Sequence, residues 1–302
     1  MTKRPWQAEI EVTPETVRLV VNEQLPHLAS HDITFLGYGW DNDAYLVGNH
    51  IFRFPRRQIA VEMVEFEAAI LRLLPNTLPL EVPRLEQVGR PSGAYPHSFL
   101  VYQMVKGTSA CDLPQAYRLS AQDASTLGQF LRQIHAIPAT VSDTIRGDTM
   151  RKGDIPFRLG KIEAAIAALP GDALPAGKDE VLQAARILAR ATSADKLTLV
   201  HGDLYARHVL VDSRRVTGVI DWGDAHVGDP ALDLSIAYTM LNAETAATFF
   251  LAYGIEDERT QKRAMFRALF YSAVLADFGI GNQDESILAI GRFATRRVLE
   301  SL

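Results

Sequence analysis

Residues 198–224 constrain this chain more than any other part of it. Thr198-Leu199-Val200 is a short apolar strand signal that runs straight into His201-Gly202-Asp203. Four residues intervene before His208, which opens a second strand signal over 209–211. A polar turn, Asp212-Ser213-Arg214-Arg215, joins it to a third at 216–220, and that strand delivers Asp221-Trp222-Gly223-Asp224. Elements this short, joined this way, return Asp203, His208 and Asp221 to one edge. A carboxylate at Asp203 can orient a hydroxyl and take its proton, while His208 and Asp221 can hold a divalent metal beneath a triphosphate. His-Gly-Asp alone recurs by chance, and aspartates in turns commonly cap them. The full strand, loop, strand, turn and strand arrangement does not reduce to that.

The remaining sequence falls into two differently patterned parts. Over 13–27, Val17, Val20, Val21 and Leu25 share one helix face, and Thr13-Pro14-Glu15 supplies a cap. Between Ile33 and Phe54 the period drops to two, giving three short strands punctuated by Gly37, Gly39, Gly48 and Asn49. A helix is expected over 60–74, where Met63, Glu67, Ile70 and Leu74 share a face. Glu67 thus lies within an apolar stripe, and an inward carboxylate demands a cation or donor. Further strands are expected over 82–88 and 99–104. Beyond Lys106-Gly107 the pattern is dominantly helical, with Leu127, Leu131 and Ile134 on one stripe, Ala-rich stretches over 162–169 and 181–191, and a helical tail over 230–302. A chain of 302 residues exceeds one compact domain and suits two lobes, expected here as 1–105 and 106–302.

The motif residues resemble the aminoglycoside and macrolide phosphotransferases, antibiotic kinases that share the protein-kinase-like fold. Their catalytic loop reads His-Gly-Asp, four residues, then Asn or, in the macrolide branch, His. A hairpin follows, then Ile-Asp-Trp or Ile-Asp-Phe. Here His201-Gly202-Asp203, His208 and Ile220-Asp221-Trp222 occupy those places, and the stretch from Gly228-Asp229-Pro230 to Asp233-Leu234 also matches. The resemblance implies an α+β, two-lobe fold. Its small N-terminal lobe carries an antiparallel sheet and one main helix, and its larger C-terminal lobe is mostly helical. It implies Asp203 as the catalytic base, Asp221 as the principal Mg²⁺ ligand and His208 as the second. Asp229 and Asp233 are expected to cap the helix after Pro230.

On the nucleotide side, Gly37-Tyr38-Gly39-Trp40-Asp41-Asn42-Asp43 sits between two strands, and its glycines permit close backbone approach to phosphate. With the motif in place, this segment resembles the family's nucleotide-positioning loop, with Gly37, Gly39 and Asn42 as its contacts. No Gly-x-x-x-x-Gly-Lys-Ser/Thr occurs, which excludes a simple Walker-type NTPase. Kinases carry a lysine on the third strand, paired with a helix glutamate. Here Arg53 stands there, with Glu67 as its expected partner and phosphate within reach of its guanidinium. Gln103, Met104 and Val105 are where the family offers backbone groups to a purine, so ATP and GTP both remain as co-substrates. Arg53 and His208 depart from the general kinase pattern and look like the macrolide branch, with a nucleotide-binding pseudokinase as the alternative.

A formal net charge of −5 argues against a nucleic-acid groove. The single cysteine, Cys111, cannot form an internal disulfide. Residues 1–11 carry no apolar signal core, and no run approaches the ~18 apolar residues of a membrane helix. A cytoplasmic monomer is the expectation, with no membrane and no nucleic-acid partner. The acceptor is expected between the catalytic loop and the C-terminal helices. Acids there such as Glu244, Glu256 and Asp284 roughly cancel bases such as Arg263, Arg267 and Arg296, so charge does not choose it. The expected reaction moves a γ-phosphoryl group to a hydroxyl of a small molecule, an antibiotic first and a metabolite as the alternative. His135 is expected as a satisfied core histidine, Arg207 as a surface or carboxylate-paired arginine, Asp224 and His226 as loop packing, and Trp222 as an aromatic plug.

Overall fold

A computed structural model describes residues 8–39, 41–113, 119–191, 193–255 and 257–302. Trp40 of the glycine-containing loop, Glu256 of the C-terminal charge set and residues 1–7 of the N-terminus lie outside these. The chain divides into two compact units, one comprising Met1–Pro75 and Val82–Val105, the other Asn76–Glu81 and Lys106–Leu302.

The first unit is a five-stranded antiparallel sheet with a helix on each face. Its elements are α1 (Pro14–Gln24), β1 (Ile33–Tyr38), β2 (Asn42–Val47), β3 (His50–Pro55), α2 (Gln58–Leu73), β4 (Arg84–Gly89) and β5 (Phe99–Gln103). The sheet order is β1-β2-β3-β5-β4. Thr13 caps α1, its hydroxyl accepting from the Thr16 amide at 3.3 Å. Period-two alternation along β3 sorts its side chains between the faces. Phe52 and Phe54 join Val17, Val20 and Val21 of α1, together with Tyr95 and Phe99, in one core. Ile51 packs with Val64 and Ala68 of α2 on the other. Arg53 shares that second face, which is why its side chain meets α2 rather than the aromatic cluster.

The second unit is mostly helical. It contains β6 (Thr108–Ser109), α3 (Ala121–His135), α4 (Ile155–Ala168), α5 (Lys178–Leu188), β7 (Thr198–Val200), β8 (Val209–Asp212), β9 (Arg215–Val219) and β10 (His226–Gly228). After these come α6 (Ala231–Leu234), α7 (Ile236–Thr239), α8 (Ala243–Tyr253), α9 (Glu258–Asn282) and α10 (Glu285–Leu299). The hairpin β8–β9 forms as expected, with β6 added to its edge. No strand is expected from the sequence at residues 226–228. They form β10, antiparallel to β7, with His226 opposite Val200. That pairing brings the segment after Asp221 back beside the His-Gly-Asp loop.

Helix α9 is the central element, packed by α4, α5, α6, α7 and α10. By length and composition it could cross a membrane, yet 67% of its most apolar 18-residue window is buried inside the protein. Its burial explains why Ala264, Ala268, Ala273 and Ala276 line it: small side chains let neighbouring helices approach.

The aromatic core of the first unit predicts a stability outcome. Phe54 is fully buried and stacks on Phe99 at 4.7 Å between ring centroids, with Tyr95 edge-on at 5.0 Å. Phe54→Ala should destabilise the protein by about 3–5 kcal/mol in urea unfolding. A loss below about 1 kcal/mol would show that the aromatic stack does not hold this sheet.

Candidate active site

The loop after β7 is held by a buried carboxylate from α6. Asp233 Oδ2 accepts from the His201 amide at 2.7 Å and Oδ1 from the Gly202 amide at 2.8 Å. His135 of α3 reaches the same carboxylate through Nε2 at 3.0 Å, and its Nδ1 meets the Tyr253 hydroxyl at 2.8 Å. Burial opposes ionisation of Asp233, but these donors outweigh it and hold the carboxyl below its ordinary value. Pure helix capping was expected for Asp233. The structure corrects this, because both its oxygens are spent on the loop. Asp229 does cap, accepting from the Ala231 amide at 2.9 Å, and it also pairs with Arg263 Nε at 2.7 Å. His135 is the satisfied core histidine that was expected.

Gly202 has φ +79°, and a Cβ there would come within 2.6 Å of the Asp224 carbonyl. Only glycine suits this position. Its carbonyl accepts from Lys152 Nζ at 3.0 Å, and the same ammonium meets Asp224 Oδ2 at 2.6 Å. Arg146 Nη2 donates to the Gly223 carbonyl at 2.6 Å. Lys152 and Arg146, from the segment between α3 and α4, thus tie the His-Gly-Asp loop to the turn that follows β9. Asp224 and His226 are loop-packing residues, as expected.

His201 is wholly buried. Its Nε2 donates to the Ile220 carbonyl at 3.0 Å, and its Nδ1 accepts from the Asp203 amide at 3.3 Å, a pattern that requires the neutral ring. Burial pushes its pKa down accordingly. The Trp222 ring lies 4.8 Å from it, fully buried, with the indole N–H on the Val219 carbonyl at 3.2 Å. Trp222 is the aromatic plug.

Three side chains converge on this frame. His208 Nδ1 lies 2.8 Å from the Asp203 carbonyl oxygen, which can only accept, so Nδ1 carries the hydrogen. In the neutral ring Nε2 then has a bare lone pair, and it faces Asp221 Oδ2 at 3.4 Å. Two electron-rich atoms this close call for a cation between them, a proton or a metal ion. Asp221 holds φ +67°, a left-handed conformation that costs a non-glycine residue on the order of 1 kcal/mol or more. That conformation turns its carboxylate towards His208. Among the described residues no three His, Cys, Asp or Glu side chains form a closed metal cage. The donor set suits Mg²⁺, which takes one or two protein ligands and completes its shell with phosphate oxygens and water.

Asp203 Oδ1 accepts from the Tyr271 hydroxyl of α9 at 2.5 Å. Among the described residues no donor reaches Oδ2, whose nearest polar neighbour is His208 Nδ1 at 3.9 Å. One carboxylate oxygen is thus anchored and the other is open to a proton. Tyr271 is fully shielded, and burial pushes its hydroxyl well above the ordinary value, so it stays a donor. Arg207 pairs with Asp284 at 3.3 Å and is the carboxylate-paired arginine anticipated.

In the first unit, Arg53 and Glu67 form a buried ion pair through Arg53 Nη1 and Glu67 Oε1. With its amide oxygen facing the guanidinium, Asn42 accepts from both Arg53 Nε and Nη2 at 3.2 Å. Gly37 marks a bulge in the β1–β2 ladder at φ +142°. Gly39 donates to the Asn42 carbonyl at 2.9 Å, closing the turn. Gln103 pairs with His50 at the end of β5, and Val105 ends the unit. The Met104 amide donates to the Asn49 carbonyl at 3.0 Å, so that N–H is already engaged. Sequence reasoning passed over Lys152 and Tyr271. A lysine in a polar loop and a tyrosine on a long helix carry no local signal, because only the packing of α9 and the loop after α3 brings them to the site.

Comparison with known proteins gives this geometry a context. The profile of the phosphotransferase enzyme family matches residues 32–268. Protein YcbJ of Bacillus subtilis (strain 168) is 26% identical over 222 residues, 67% of each chain. The GDP complex of wild-type aminoglycoside 2'-phosphotransferase-IIIa superposes on 96% of this chain and 99% of its own, with a TM-score of 0.69 and 20% identity. Macrolide 2'-phosphotransferase type I covers 94% of this chain and 97% of its own, with a TM-score of 0.64 and 24% identity. These structural likenesses establish the kinase-like fold.

The buried network sets a pH dependence. Burial lowers the pKa of both His201 and His226 in the folded protein. Unfolding returns each imidazole to about 6.5, so below that pH the unfolded chain binds more protons and stability falls. Melting temperature should hold above about pH 7 and decline as pH falls towards 5, and a H201Q/H226Q protein should show a shallower decline. A wild-type profile flat across that range would contradict the neutral assignment. Asp233→Ala should cost about 3–5 kcal/mol of stability by removing a buried, multiply bonded carboxylate.

Proposed function

The chain belongs to the phosphotransferase enzyme family, and we propose that it transfers the γ-phosphoryl group of a nucleoside triphosphate to a hydroxyl of a small molecule. The convergence of Asp203 Oδ2, His208 Nε2 and Asp221 Oδ2 on one edge of the second unit supports this above all. In the reaction the acceptor oxygen bonds to the γ-phosphorus and the bond from that phosphorus to the β,γ-bridging oxygen breaks. Asp203 Oδ2 takes the hydroxyl proton, and the products are a phosphate ester and a nucleoside diphosphate. Tyr271, bound to Oδ1, fixes the rotamer of the carboxylate so that its open oxygen faces the acceptor. His208 and Asp221 would hold Mg²⁺, which when bound neutralises charge developing on the β- and γ-phosphates.

The first unit is the proposed nucleotide-binding lobe, and the second, which includes Asn76–Glu81, the proposed catalytic and acceptor lobe. Arg53, locked by Glu67 and Asn42, presents a preorganised guanidinium suited to phosphate. Gly37 and Gly39 shape the loop that would cover it. Relatives with this fold have been solved with GDP, and with ATP and streptomycin together. They support ATP or GTP as co-substrate and an antibiotic as one acceptor class. A second reading, a metabolite acceptor, is favoured by the positive charge of Arg267 beside Tyr271 and of Arg158 beside Phe270. The protein is proposed to act as a cytoplasmic monomer.

Release of ADP or GDP, measured with both nucleotides against aminoglycosides, macrolides and small hydroxylated metabolites, should reveal turnover that a metal chelator abolishes. Asp203→Ala should lower kcat roughly 10²- to 10⁴-fold while nucleotide binding persists. Normal turnover by that variant would remove Asp203 from the chemistry. Tight nucleotide binding without turnover on any acceptor would favour a non-catalytic protein.

A further inference from the structure

Arg267 brings a buried positive charge to Tyr271, the tyrosine that binds Asp203, and Arg158 of α4 stands close by at Phe270. Arg267 and Tyr271 are four residues apart on α9 and so lie on one face of the helix. The Arg267 guanidinium sits 4.1 Å from the centroid of the Tyr271 ring, whose hydroxyl binds Asp203 Oδ1. Arg267 is 5% exposed, and its Nε has no hydrogen-bond partner. Arg158 of α4 stands 4.9 Å from the centroid of the Phe270 ring and Arg267 5.4 Å from it. Arg158 spends Nε and Nη2 on the carbonyls of Arg151 and Met150, at 2.9 and 2.6 Å. Neither arginine makes an ion pair with any described carboxylate. The nearby acids attract Arg158 only at longer range, Asp154 being bonded to Arg151 at 2.6 Å and Asp148 to the amides of Lys152 and Gly153.

Arg267 is buried and Arg158 half-buried, and two guanidiniums beside one aromatic ring repel each other. Cation–π contact offsets part of this, but Arg267 Nε is left without a partner. An oxyanion is what a guanidinium fork matches in shape and charge. A polycationic ligand would add repulsion at the same place.

We propose that the acceptor carries an oxyanion (carboxylate or phosphate) bound by Arg267 and Arg158, which places its hydroxyl at Asp203 Oδ2. The inference rests on the phosphotransferase reading and names its substrate class as a hydroxylated anion rather than an aminoglycoside. Arg267 is then a specificity-determining residue, with Tyr271 joining the anion site to the base.

The test has two arms. In the first, kcat/KM is compared across matched acceptors: a sugar acid, a sugar phosphate, the uncharged sugar and an aminoglycoside. Anionic members should lead by roughly tenfold or more, the contribution of a charge-assisted hydrogen bond. Arg267→Met should erase that lead and Arg267→Lys should restore part of it. Uncharged or polycationic acceptors doing as well in the wild type, or a ratio unmoved in R267M, would overturn the proposal.

In the second arm the nucleotide site is filled with ADP or GDP, and binding of inorganic phosphate is followed by calorimetry. Binding that weakens at least tenfold in R267M supports the anion site even if no acceptor turns over, an outcome that would count against the transferase reading alone. No binding to the wild type, or equal binding by R267M, overturns it. Should R267M fail to melt cooperatively, Arg158→Met, on the less buried partner, gives the same comparison.

Discussion

A single buried carboxylate organises the His-Gly-Asp loop in the second unit of this protein. Asp233 presents two oxygens to the consecutive amides of His201 and Gly202 and takes a third donor from His135. Two backbone N–H groups bound by one fixed anion leave the loop little freedom, and each charge-assisted bond contributes about 1.5–3 kcal/mol. Without Asp233, two amides and one imidazole would be stranded in a region closed to water. The orientation of Asp203, one residue farther on, follows from this clamp.

Around the clamp, local strain is held by tertiary contacts. Gly202 at φ +79° and Asp221 at φ +67° are both left-handed, and both lie beside residues that meet at the site. Lys152 bridges their two segments through the Gly202 carbonyl and Asp224. Such conformations persist where surrounding bonds over-determine them. Here the over-determination comes from Asp233 and His135 on one side and from Lys152 and Arg146 on the other. The pair formed by His208 and Asp221 is the outcome: two donors directed at one point, with the tautomer of the imidazole fixed by the Asp203 carbonyl. In the first unit the same logic holds Arg53, whose guanidinium is immobilised by a glutamate and an amide before any phosphate arrives.

Electrostatics of the acceptor side could not be inferred by summing charges along the chain. Over the C-terminal helices acids and bases nearly cancel, and some of them are paired: Arg263 with Asp229, Arg207 with Asp284, Lys262 with Glu258. Arg267 is among those without an ion-pair partner among the described residues: it is buried beside Tyr271, and its Nε has no hydrogen-bond partner. A ligand responds to that residual local charge, which the net balance conceals.

The sequence by itself determined the order of elements, the strand–loop–strand motif, and the facing of Glu67 and Arg53. These rest on periodicity and short-range spacing, which act along the chain and are visible in it. The β8–β9 hairpin and the α1 cap were legible for the same reason. Strand β10, the true partners of Asp233, and the arrival of Lys152 at Gly202, of Tyr271 at Asp203 and of Arg267 at Tyr271 were not. Each depends on segments tens of residues apart meeting through packing, above all of α9 against its neighbours. A side chain's chemistry is written locally, whereas its partners are chosen by the way buried surfaces fit, and only the folded chain decides which charges are satisfied and which are left to a ligand.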